Sequence, residues 1–480
     1  MTKASTYRIT HFVDGEWTND DTSNERVNPA DSTDTVAELT VGDAALVDRA
    51  IRSASAAQQR WAAMTGPARG AVLSGAAALI RARSPQIAED LTREEGKTRA
   101  EALGEVRRAA DILEFFGAEC WRANGTTLPS SVAGTHVYTR REALGVVGLI
   151  TPWNFPIAIP TWKTAPALAA GNAVVVKPAH LTAVSTMHLA NALSEAGLPP
   201  GIFTLIHGRG SVVGDALVKH ELIKAVSFTG SNAVGRQIGR LAAERGIRLQ
   251  LEMGGKNPMV VLDDADPDRA ADIIATGAFG LTGQACTATS RVICTPSIYD
   301  AVAAALAQRA TAYAPGNGLV EGVMMGPVVS EDQLTTNSEY VEIAINQGAT
   351  LLSGGTSDGQ LFPPTIFTDV QPDHRVAREE VFGPVVGLIR ARDEDHAIDL
   401  ANDTEFGLSA GLVTQRLSSV AKFAQRIQAG VVKVNRPTGG VDLNVPFGGV
   451  KESSNNAYRE QGSQALDFYS WTKSVYVGAE

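Results

Sequence analysis

The stretch GVVGLITPWNFP, residues 145–156, has the pattern of a buried β-strand that ends in a rigid turn. Its first six residues are glycine or apolar, and two prolines then bracket Trp153, Asn154 and Phe155. Similar β-rich runs, most of them separated by helical segments, follow at 173–177, 202–206, 224–228 and 247–252. Strands buried on both faces that alternate with helices predict a parallel, doubly wound α/β sheet, which binds ligands at the carboxyl ends of its strands. We therefore predict a nucleotide-binding domain.

A second alternation of strands and helices begins near Asn257. The run NPMVVL is followed by a helical pattern over residues 270–282, by the β-like run ATSRVIC and by a long helical pattern over residues 298–312. Such an alternation is typical of a parallel sheet covered by helices. The sequence therefore predicts a second α/β domain.

The remaining segments are predicted from local patterns. Residues 44–120 have apolar residues at helical spacing and predict several packed helices. In HFVDGEWTND, residues 11–20, the dipeptide Asp14-Gly15 predicts a short hairpin. The strand-like stretches 124–143 and 464–480 fall outside both alternations, and we expect them to pair with each other or with another subunit.

The composition excludes several functional classes. A chain of 480 residues exceeds what one hydrophobic core usually serves, so two or more domains are expected. The formal net charge of −10 argues against nucleic acid or anionic lipid as a partner and leaves small molecules. Three cysteines do not suit a disulfide framework, and no secretion signal or run of about 20 apolar residues occurs. We therefore expect a cytoplasmic protein that contacts no membrane.

The segment GLTGQACTATSR, residues 280–291, places Cys286 after small, flexible residues and before a β-like run. We expect its sulfur in a loop between a helix and a strand, where a thiolate would be a good nucleophile. The alternative is a small buried apolar residue, which is what we expect of Cys120 and Cys294 among their apolar neighbours. The local sequence leaves both interpretations of Cys286 open.

Two further motifs contain polar side chains suited to catalysis. In LQLEMGGKNP, residues 249–258, Glu252 ends a strand beside a glycine pair and could act as a general base. In TPWNFP, Asn154 could donate its amide to an oxyanion. The alternatives are that Glu252 caps a helix or faces water, and that Asn154 bonds its own backbone in a turn.

Glycine-rich turns and strand ends indicate where a nucleotide would bind. SFTGSNAVG, residues 227–235, runs from strand into helix and suits a pyrophosphate at a helix N-terminus. GRGSVVG, residues 208–214, comes nearer the dinucleotide-binding fingerprint, but its glycine spacing is wrong and a loop is the simpler interpretation. Lys177, in VVVKPAH, stands at a strand end where an ammonium group can bind ribose hydroxyls.

Seven motifs in this order resemble the aldehyde dehydrogenase superfamily: TPWNFP, VVVKPA, FTGS, LEMGGKNP, GQACTATSR, EEVFGPV and PFGGVK. The resemblance runs from about residue 10 to the C-terminus. It implies a Rossmann-like nucleotide-binding domain, a second α/β catalytic domain and a small β bridging element for assembly into homodimers or homotetramers. We assign them to residues 1–123 with 144–253, residues 254–447, and residues 124–143 with 448–480.

The resemblance also implies the catalytic roles. Cys286 matches the nucleophile that forms a thioester, Glu252 the general base, and Asn154 an oxyanion donor acting with the backbone N–H of Cys286. Lys163, in PTWK, matches a lysine near that asparagine, and Glu460, in YREQG, a glutamate that some members use in proton relay. Chemistry of this kind needs no metal, because sulfur is the leaving group.

The cofactor implied by the resemblance is NAD⁺ or NADP⁺. The residues that match its binding site are Thr151, Pro152, Trp153, Lys177, Ala179, His180, Gly230, Ser231, Glu380 and Phe382. Many NAD⁺-preferring members carry a glutamate two positions after the Lys-Pro pair, whereas Ala179 and His180 follow Pro178 here. Because no carboxylate would repel a 2′-phosphate, we favour NADP⁺ slightly.

The substrate expectation comes from the variant motif PFGGVKESSNNAYREQG, from GAFGLTGQACTATSR and from the run PIAIPTWKTAPAL. These resemble the bacterial branch that oxidises 2-oxoglutarate semialdehyde, with succinate semialdehyde or a broad aldehyde range as the alternative. Arg436 is a candidate for binding a substrate carboxylate, or else a subunit contact. The predicted walls of the substrate site are Ile157, Ala158, Ala285, Thr287 and Phe447.

Two functions of other classes remain as alternatives. A cofactor-independent cysteine hydrolase or esterase would pair Cys286 with a histidine, but none of the 8 histidines lies in a catalytic segment. A catalytically silent structural homologue is disfavoured by the presence of Cys286, Glu252 and Asn154. Members that acylate CoA typically lack the general-base glutamate, so Glu252 favours hydrolysis.

Overall fold

A computed structural model of the chain describes residues 5–122 and 125–478. Its strands, in chain order, are β1 (Tyr7–Ile9), β2 (Phe12–Val13), β3 (Glu16–Trp17), β4 (Asn24–Asn28), β5 (Asp31–Leu39), β6 (Thr127–Leu128), β7 (Thr135–Ala143), β8 (Val146–Ile150), β9 (Ala173–Lys177), β10 (Phe203–Leu205), β11 (Ile223–Thr229), β12 (Arg248–Glu252), β13 (Asn257–Val261), β14 (Thr289–Cys294), β15 (Thr350–Ser353), β16 (Thr365–Thr368), β17 (Val385–Arg390), β18 (Phe406–Gly407), β19 (Ser409–Val413), β20 (Val431–Val434), β21 (Val450–Lys451) and β22 (Ser470–Gly478). Its helices are α1 (Ala44–Ala63), α2 (Gly66–Ala82), α3 (Ser84–Glu95), α4 (Arg99–Glu119), α5 (Ala158–Ala169), α6 (Ala183–Glu195), α7 (Asp215–Lys219), α8 (Asn232–Arg245), α9 (Pro267–Phe279), α10 (Tyr299–Ala310), α11 (Glu331–Asn346), α12 (Arg375–Arg378), α13 (Glu394–Asn402), α14 (Leu417–Arg426) and α15 (Ala465–Tyr469).

The first large sheet has the strand order β12-β11-β8-β9-β10-β2-β3. Strands β8 to β12 pair with one another in parallel, which confirms the predicted doubly wound sheet. The hairpin β2–β3 is added antiparallel at one edge, with Asp14 and Gly15 at the positive φ values of 55° and 83° that its turn requires. The strands β8 and β9 are buried along their whole length, because helices cover both faces.

The second large sheet has the strand order β15-β16-β17-β14-β13-β19-β20. All of its pairings are parallel except that of β15 with β16, so the predicted second α/β unit is confirmed. The helix predicted over 270–282 ends earlier, at Phe279. Leu281 and Thr282 have φ values of 55° and 57°, outside the helical region, and Glu101 accepts the freed backbone N–H of Leu281 at 2.7 Å.

Three strands form a separate antiparallel sheet in the order β22-β7-β6. The whole of β22 pairs with the whole of β7, from Ser470 opposite Ala143 to Gly478 opposite Thr135. The two strand-like stretches therefore pair with each other within one chain. Residues 465–469 are helical instead of strand-like, because this segment packs the T-shaped pair Phe468 and Tyr469 into the core.

Parallel register brings the motifs to one edge of the first sheet. Ile150 at the end of β8 lies opposite Lys177 at the end of β9, and Thr229 at the end of β11 lies opposite Glu252 at the end of β12. The segments that follow these strands therefore meet at the same sheet edge. Within the ranges that the structure describes, no helix is both long and apolar enough to cross a membrane.

Candidate active site

Cys286 lies in the short loop between the turn at 280–283 and strand β14. Asn257, the first residue of β13, holds this loop by donating from its amide to the carbonyl oxygens of Cys286 and Ala288, each at 2.8 Å. The thiol is half-buried, whereas Cys120 and Cys294 are buried. The structure therefore separates Cys286 from the two cysteines that were predicted to be apolar core residues.

The sulfur-bearing loop contacts two cavities. One has a volume of about 410 Å³ and the other about 240 Å³, and Cys286 is the residue that lines both. We call them the large and the small chamber. A group bound in either chamber lies against the same side chain, so Cys286 can react with one ligand while a second ligand stands beside it.

The small chamber contains most of the predicted cofactor residues. Trp153 and Phe382 make a T-shaped contact, with ring centroids 5.3 Å apart. The predicted residues that line this chamber are Pro152, Trp153, Asn154, Gly230, Ser231, Cys286, Glu380 and Phe382. Thr151, Lys177, Ala179 and His180 lie outside its lining but follow or end neighbouring strands at the same sheet edge.

Glu380 is fixed at the wall of the small chamber. Its carboxylate accepts a hydrogen bond from the backbone N–H of Gly255 at 2.9 Å. A Cβ atom at Gly254 would lie 2.1 Å from the Glu380 carboxylate, so a larger residue there would displace this carboxylate from its position. Burial raises the pKa of Glu380 to about 7.

The neighbourhood of the small chamber fits a dinucleotide. Helix α8 begins after Ser231 with no side-chain cap, which leaves its first N–H groups for an anion such as a pyrophosphate. The Lys177 ammonium bonds only the carbonyl of Pro178 among the described residues, and burial lowers its pKa to about 8. The buried hydroxyls of Thr151 and Thr229 have no partner in the described part of the chain. These donors suit ribose and phosphate oxygens.

Glu252 belongs to a buried cluster of two carboxylates and one ammonium group. Lys163 makes an ion pair with Glu460 and also donates to the Ser227 hydroxyl at 2.8 Å. One Glu252 oxygen accepts from the backbone N–H of Gly449 at 3.3 Å. The other Glu252 oxygen is buried with no partner within the described residues. Burial, followed by repulsion from Glu460, raises the pKa of Glu252 well above its usual value.

Asn154 is 3% exposed and lines the small chamber beside Cys286. Its amide donates to the carbonyl of Gln284 at 3.0 Å, and its own carbonyl accepts from Lys97 at 2.7 Å. The lysine bound to Asn154 is thus Lys97 and not Lys163, whose partners are Ser227 and Glu460. The EEGKT segment that contains Lys97 was not among the motifs recognised in the sequence, so this contact was not predicted.

The large chamber has aromatic and aliphatic walls with a few polar groups. Trp162 and Phe447 stack at a tilt, with ring centroids 5.9 Å apart. Of the predicted wall residues, Ala158, Thr287 and Phe447 line this chamber. Ile157 is fully buried, and Ala285 lines a different small pocket beside Glu380.

The predicted cation is not in the large chamber. Arg436 is exposed and does not line it, whereas Arg108 of helix α4 does. Arg108 stands outside every motif that was recognised in the sequence. A usable signal would have been the spacing of Glu101, Glu105 and Arg108, which puts these polar side chains on one face of a helix.

Known proteins resemble this chain along almost its whole length. Residues 17–475 match the sequence profile of the Aldehyde dehydrogenase family. The chain is 46% identical over 475 residues to the alpha-ketoglutarate semialdehyde dehydrogenase of Haloferax volcanii, covering 97% of this chain and 98% of that protein. It is 44% identical over 486 residues to the alpha-ketoglutaric semialdehyde dehydrogenase of Bacillus subtilis, covering 99% of each.

Solved structures give the same result. The NAD-dependent aldehyde dehydrogenase from Sinorhizobium meliloti is similar with a TM-score of 0.95 and 35% identity, over 99% of this chain and 95% of that one. An NADP-dependent enzyme from E. coli is similar with a TM-score of 0.95 and 34% identity, over 98% of both chains. The chain therefore has the fold of two solved enzymes, one named as NAD-dependent and the other as NADP-dependent.

The environment of Cys286 predicts an unusual pH profile for its alkylation. Burial, with the charges of Glu380, Glu252 and Glu460, raises the pKa of the thiol above its ordinary value of 9.0. The rate with iodoacetamide should therefore keep rising from about pH 7 to about pH 10 without a plateau, because the thiolate is the reacting form. Glu380→Gln should speed the reaction at alkaline pH, since it removes a negative charge.

Glu379→Gln provides a matched control, because Glu379 is bound to Arg375 and is not among the charges that act on the thiol. It should leave the alkylation rate unchanged. A plateau below about pH 8 in the wild-type chain would contradict the electrostatic account. The modified residue is identified by peptide mass spectrometry, which should find Cys286 labelled and the buried Cys120 and Cys294 unlabelled under native conditions.

Proposed function

The chain belongs to the aldehyde dehydrogenase family, and we propose that it oxidises an ω-semialdehyde of the 2-oxoglutarate semialdehyde type through a thioester on Cys286. As a member of this family it is an NAD(P)⁺-dependent enzyme that oxidises aldehydes. The observation that carries the proposed mechanism is the position of Cys286 between two chambers. One chamber suits the aldehyde and the other suits the nicotinamide end of the cofactor.

In the first step the sulfur of Cys286 attacks the aldehyde carbon. A C–S bond forms, the thiol proton passes to a water molecule, and the carbonyl oxygen becomes the oxyanion of a thiohemiacetal. Asn154 and the backbone N–H of Cys286 stabilise that oxyanion. An amide nitrogen carries two hydrogens, and only one of those on Asn154 is used in its bond to Gln284. A donor of this kind is worth about 10²–10³-fold in rate.

The second step is oxidation of the thiohemiacetal carbon. When bound, the nicotinamide group supplies a hydride acceptor. Loss of a hydride from this carbon would leave a thioester on Cys286. The residues of the small chamber would hold the nicotinamide end of the cofactor, since Trp153 and Phe382 pack together in its wall and the Gly255 N–H fixes the Glu380 carboxylate.

In the third step Glu252 takes a proton from a water molecule, which attacks the thioester. The tetrahedral intermediate collapses to the carboxylic acid, and the Cys286 thiolate is released. A carboxylate whose pKa is raised by burial is a stronger base than an exposed glutamate, which suits this role near neutral pH. The Gly449 N–H binds one oxygen of this base, and Lys163 forms its ion pair with Glu460 in the same buried cluster.

The hydrolase alternative has no structural support. The residues that line the large and small chambers include no histidine, so Cys286 has no imidazole partner there. A cysteine hydrolase would need such a partner to activate its nucleophile. We therefore assign deprotonation of the Cys286 thiol to water.

The substrate class is proposed from relatives and from the large chamber. Two relatives that are 44–46% identical over nearly the whole chain carry the name of an alpha-ketoglutarate semialdehyde dehydrogenase. The chamber volume of about 410 Å³ accommodates a five-carbon chain with room for water. The acid product of this reaction would be a dicarboxylate.

We further infer that the chain assembles through the sheet β22-β7-β6. Its strand β22 leaves Trp471, Tyr476 and Val477 exposed. Exposed apolar side chains on one sheet are typical of a protein interface. A homodimer or homotetramer would bury them, in keeping with the predicted bridging element.

A panel of aldehydes tests the proposed substrate. We expect kcat/KM for 2-oxoglutarate semialdehyde to exceed that for succinate semialdehyde and for a neutral aromatic aldehyde, measured by the absorbance of reduced cofactor. Cys286→Ser should abolish turnover of all of them, whereas Cys294→Ser should retain it, because Cys294 is buried in the core away from both chambers. A preference for the aromatic aldehyde would refute the substrate assignment.

The cofactor proposal is that NADP⁺ is accepted and preferred. His180 is exposed near the end of β9, and Lys177 stands three positions before it. Neither residue is an acid, so a 2′-phosphate on the adenosine ribose would meet no negative charge from them. An ammonium group at Lys177 would attract it.

His180→Glu should therefore shift the preference toward NAD⁺. We expect kcat/KM for NADP⁺ to fall about tenfold or more relative to that for NAD⁺, because the new carboxylate repels the 2′-phosphate. His180→Gln is the neutral control and should leave the ratio within about twofold of the wild type. An unchanged ratio in His180→Glu would show that residue 180 does not face the 2′-position.

A further inference from the structure

Arg108 is a half-buried cation in the wall of the large chamber. It lies on helix α4 beside Glu105 and one helical turn from Gly104, and all three line the cavity. Burial lowers the pKa of its guanidinium group. The neighbouring Arg107 is exposed instead and donates to the carbonyl of Leu103 in its own helix. Two adjacent arginines thus have different environments.

Arg108 has no carboxylate partner among residues 5–122 and 125–478. Within these ranges its one side-chain hydrogen bond goes to the amide oxygen of Gln461 at 2.5 Å. None of the ion pairs found in the described part of the chain includes Arg108. The acidic groups that act on it from a distance are Asp442, which is exposed, and Asp111, which is bound to Arg81 at 2.7 Å.

The two carboxylates that line the large chamber already accept hydrogen bonds from other groups. Glu105 makes an ion pair with Lys97 at 2.6 Å and accepts the backbone N–H groups of Ile157 and Ala158, each at 3.0 Å. Glu101 accepts the N–H and hydroxyl of Thr98 and the N–H of Leu281. Their oxygens therefore have donors of their own, and the positive charge of Arg108 is left uncompensated.

The other residues that line the large chamber carry no negative charge that could pair with Arg108. Phe155, Trp162 and Phe447 contribute rings, and Val441 an aliphatic side chain. A charge in surroundings of this kind is costly unless it is paired. A guanidinium group presents a fixed fork of donors that matches the geometry of a carboxylate.

We propose that Arg108 binds the terminal carboxylate of the substrate aldehyde and is the residue that selects ω-semialdehydes over neutral aldehydes. This inference rests on the proposed function and assigns to Arg108 the role that the sequence suggested for Arg436. Gln461 is a positioning residue, because its amide oxygen orients the guanidinium group into the chamber. The aldehyde end of the substrate then faces Cys286, the reactive side chain on the same cavity wall.

The first test compares an acidic and a neutral substrate of equal chain length. Arg108→Met should reduce kcat/KM for 2-oxoglutarate semialdehyde about 10- to 100-fold, mainly through KM, and change that for pentanal less than about threefold. Arg108→Lys should lie between Met and the wild type, because it retains the charge but loses the fork. Arg107→Met is the matched control and should change neither value. An equal loss on both substrates in Arg108→Met would overturn the proposal.

A second test does not depend on turnover. Glutarate, a five-carbon dicarboxylate, should slow the alkylation of Cys286 by neutral iodoacetamide in the wild type and in Arg107→Met, but not in Arg108→Met. Protection that persists in Arg108→Met would overturn the assignment. If the wild type prefers pentanal to the semialdehyde, the proposed substrate is wrong, yet loss of glutarate protection in Arg108→Met would still identify Arg108 as the carboxylate-binding residue.

Discussion

The chemistry of this molecule depends on a buried charge cluster in which two carboxylates share one ammonium group. Lys163 is fully buried and pairs with Glu460, so the negative charge of Glu252 has no partner of equal strength. Burying an unpaired carboxylate costs free energy. Burial and the charge of Glu460 therefore raise the pKa of Glu252. The cluster also links distant parts of the chain, because Glu252 ends β12 whereas Gly449 and Glu460 belong to the C-terminal segment. The base is therefore complete only when that segment has folded against the first sheet.

The two chambers also differ in the charged groups that surround them. On the cofactor side, the start of helix α8 and the Lys177 ammonium group offer donors to an anionic ligand. On the substrate side, Lys97 and backbone N–H groups occupy the carboxylates, which leaves Arg108 as a cation without a counter-ion in the chamber's described lining. Each ligand thus meets the charge that suits it. Cys286 stands between them, and burial, together with the charges of nearby carboxylates, raises the pKa of its thiol.

Much of the fold and of the site could be predicted from the sequence, because both depend on local patterns. Short apolar runs that alternate with helices predicted both parallel sheets, and Asp14-Gly15 predicted the hairpin. The motifs around Cys286 and Asn154 predicted two residues that line the small chamber. The sequence did not predict the partners that these residues have across the fold. Arg436 was chosen because it is near a motif in the chain, whereas Arg108 reaches the chamber from a helix far earlier in the sequence.

In the proposed mechanism, an acyl group is held on Cys286 until Glu252 activates water. The direct measurement is the intact mass of Glu252→Gln after mixing with NADP⁺ and 2-oxoglutarate semialdehyde. Removing the charge of Glu252 also removes one of the charges that raise the pKa of the thiol, so the attack on the aldehyde should not suffer. The account predicts one equivalent of reduced cofactor per chain and a stable adduct on Cys286 with the mass of the aldehyde less two hydrogen atoms. Steady turnover without an adduct, or an adduct that persists when Cys286 is replaced by serine, would contradict it.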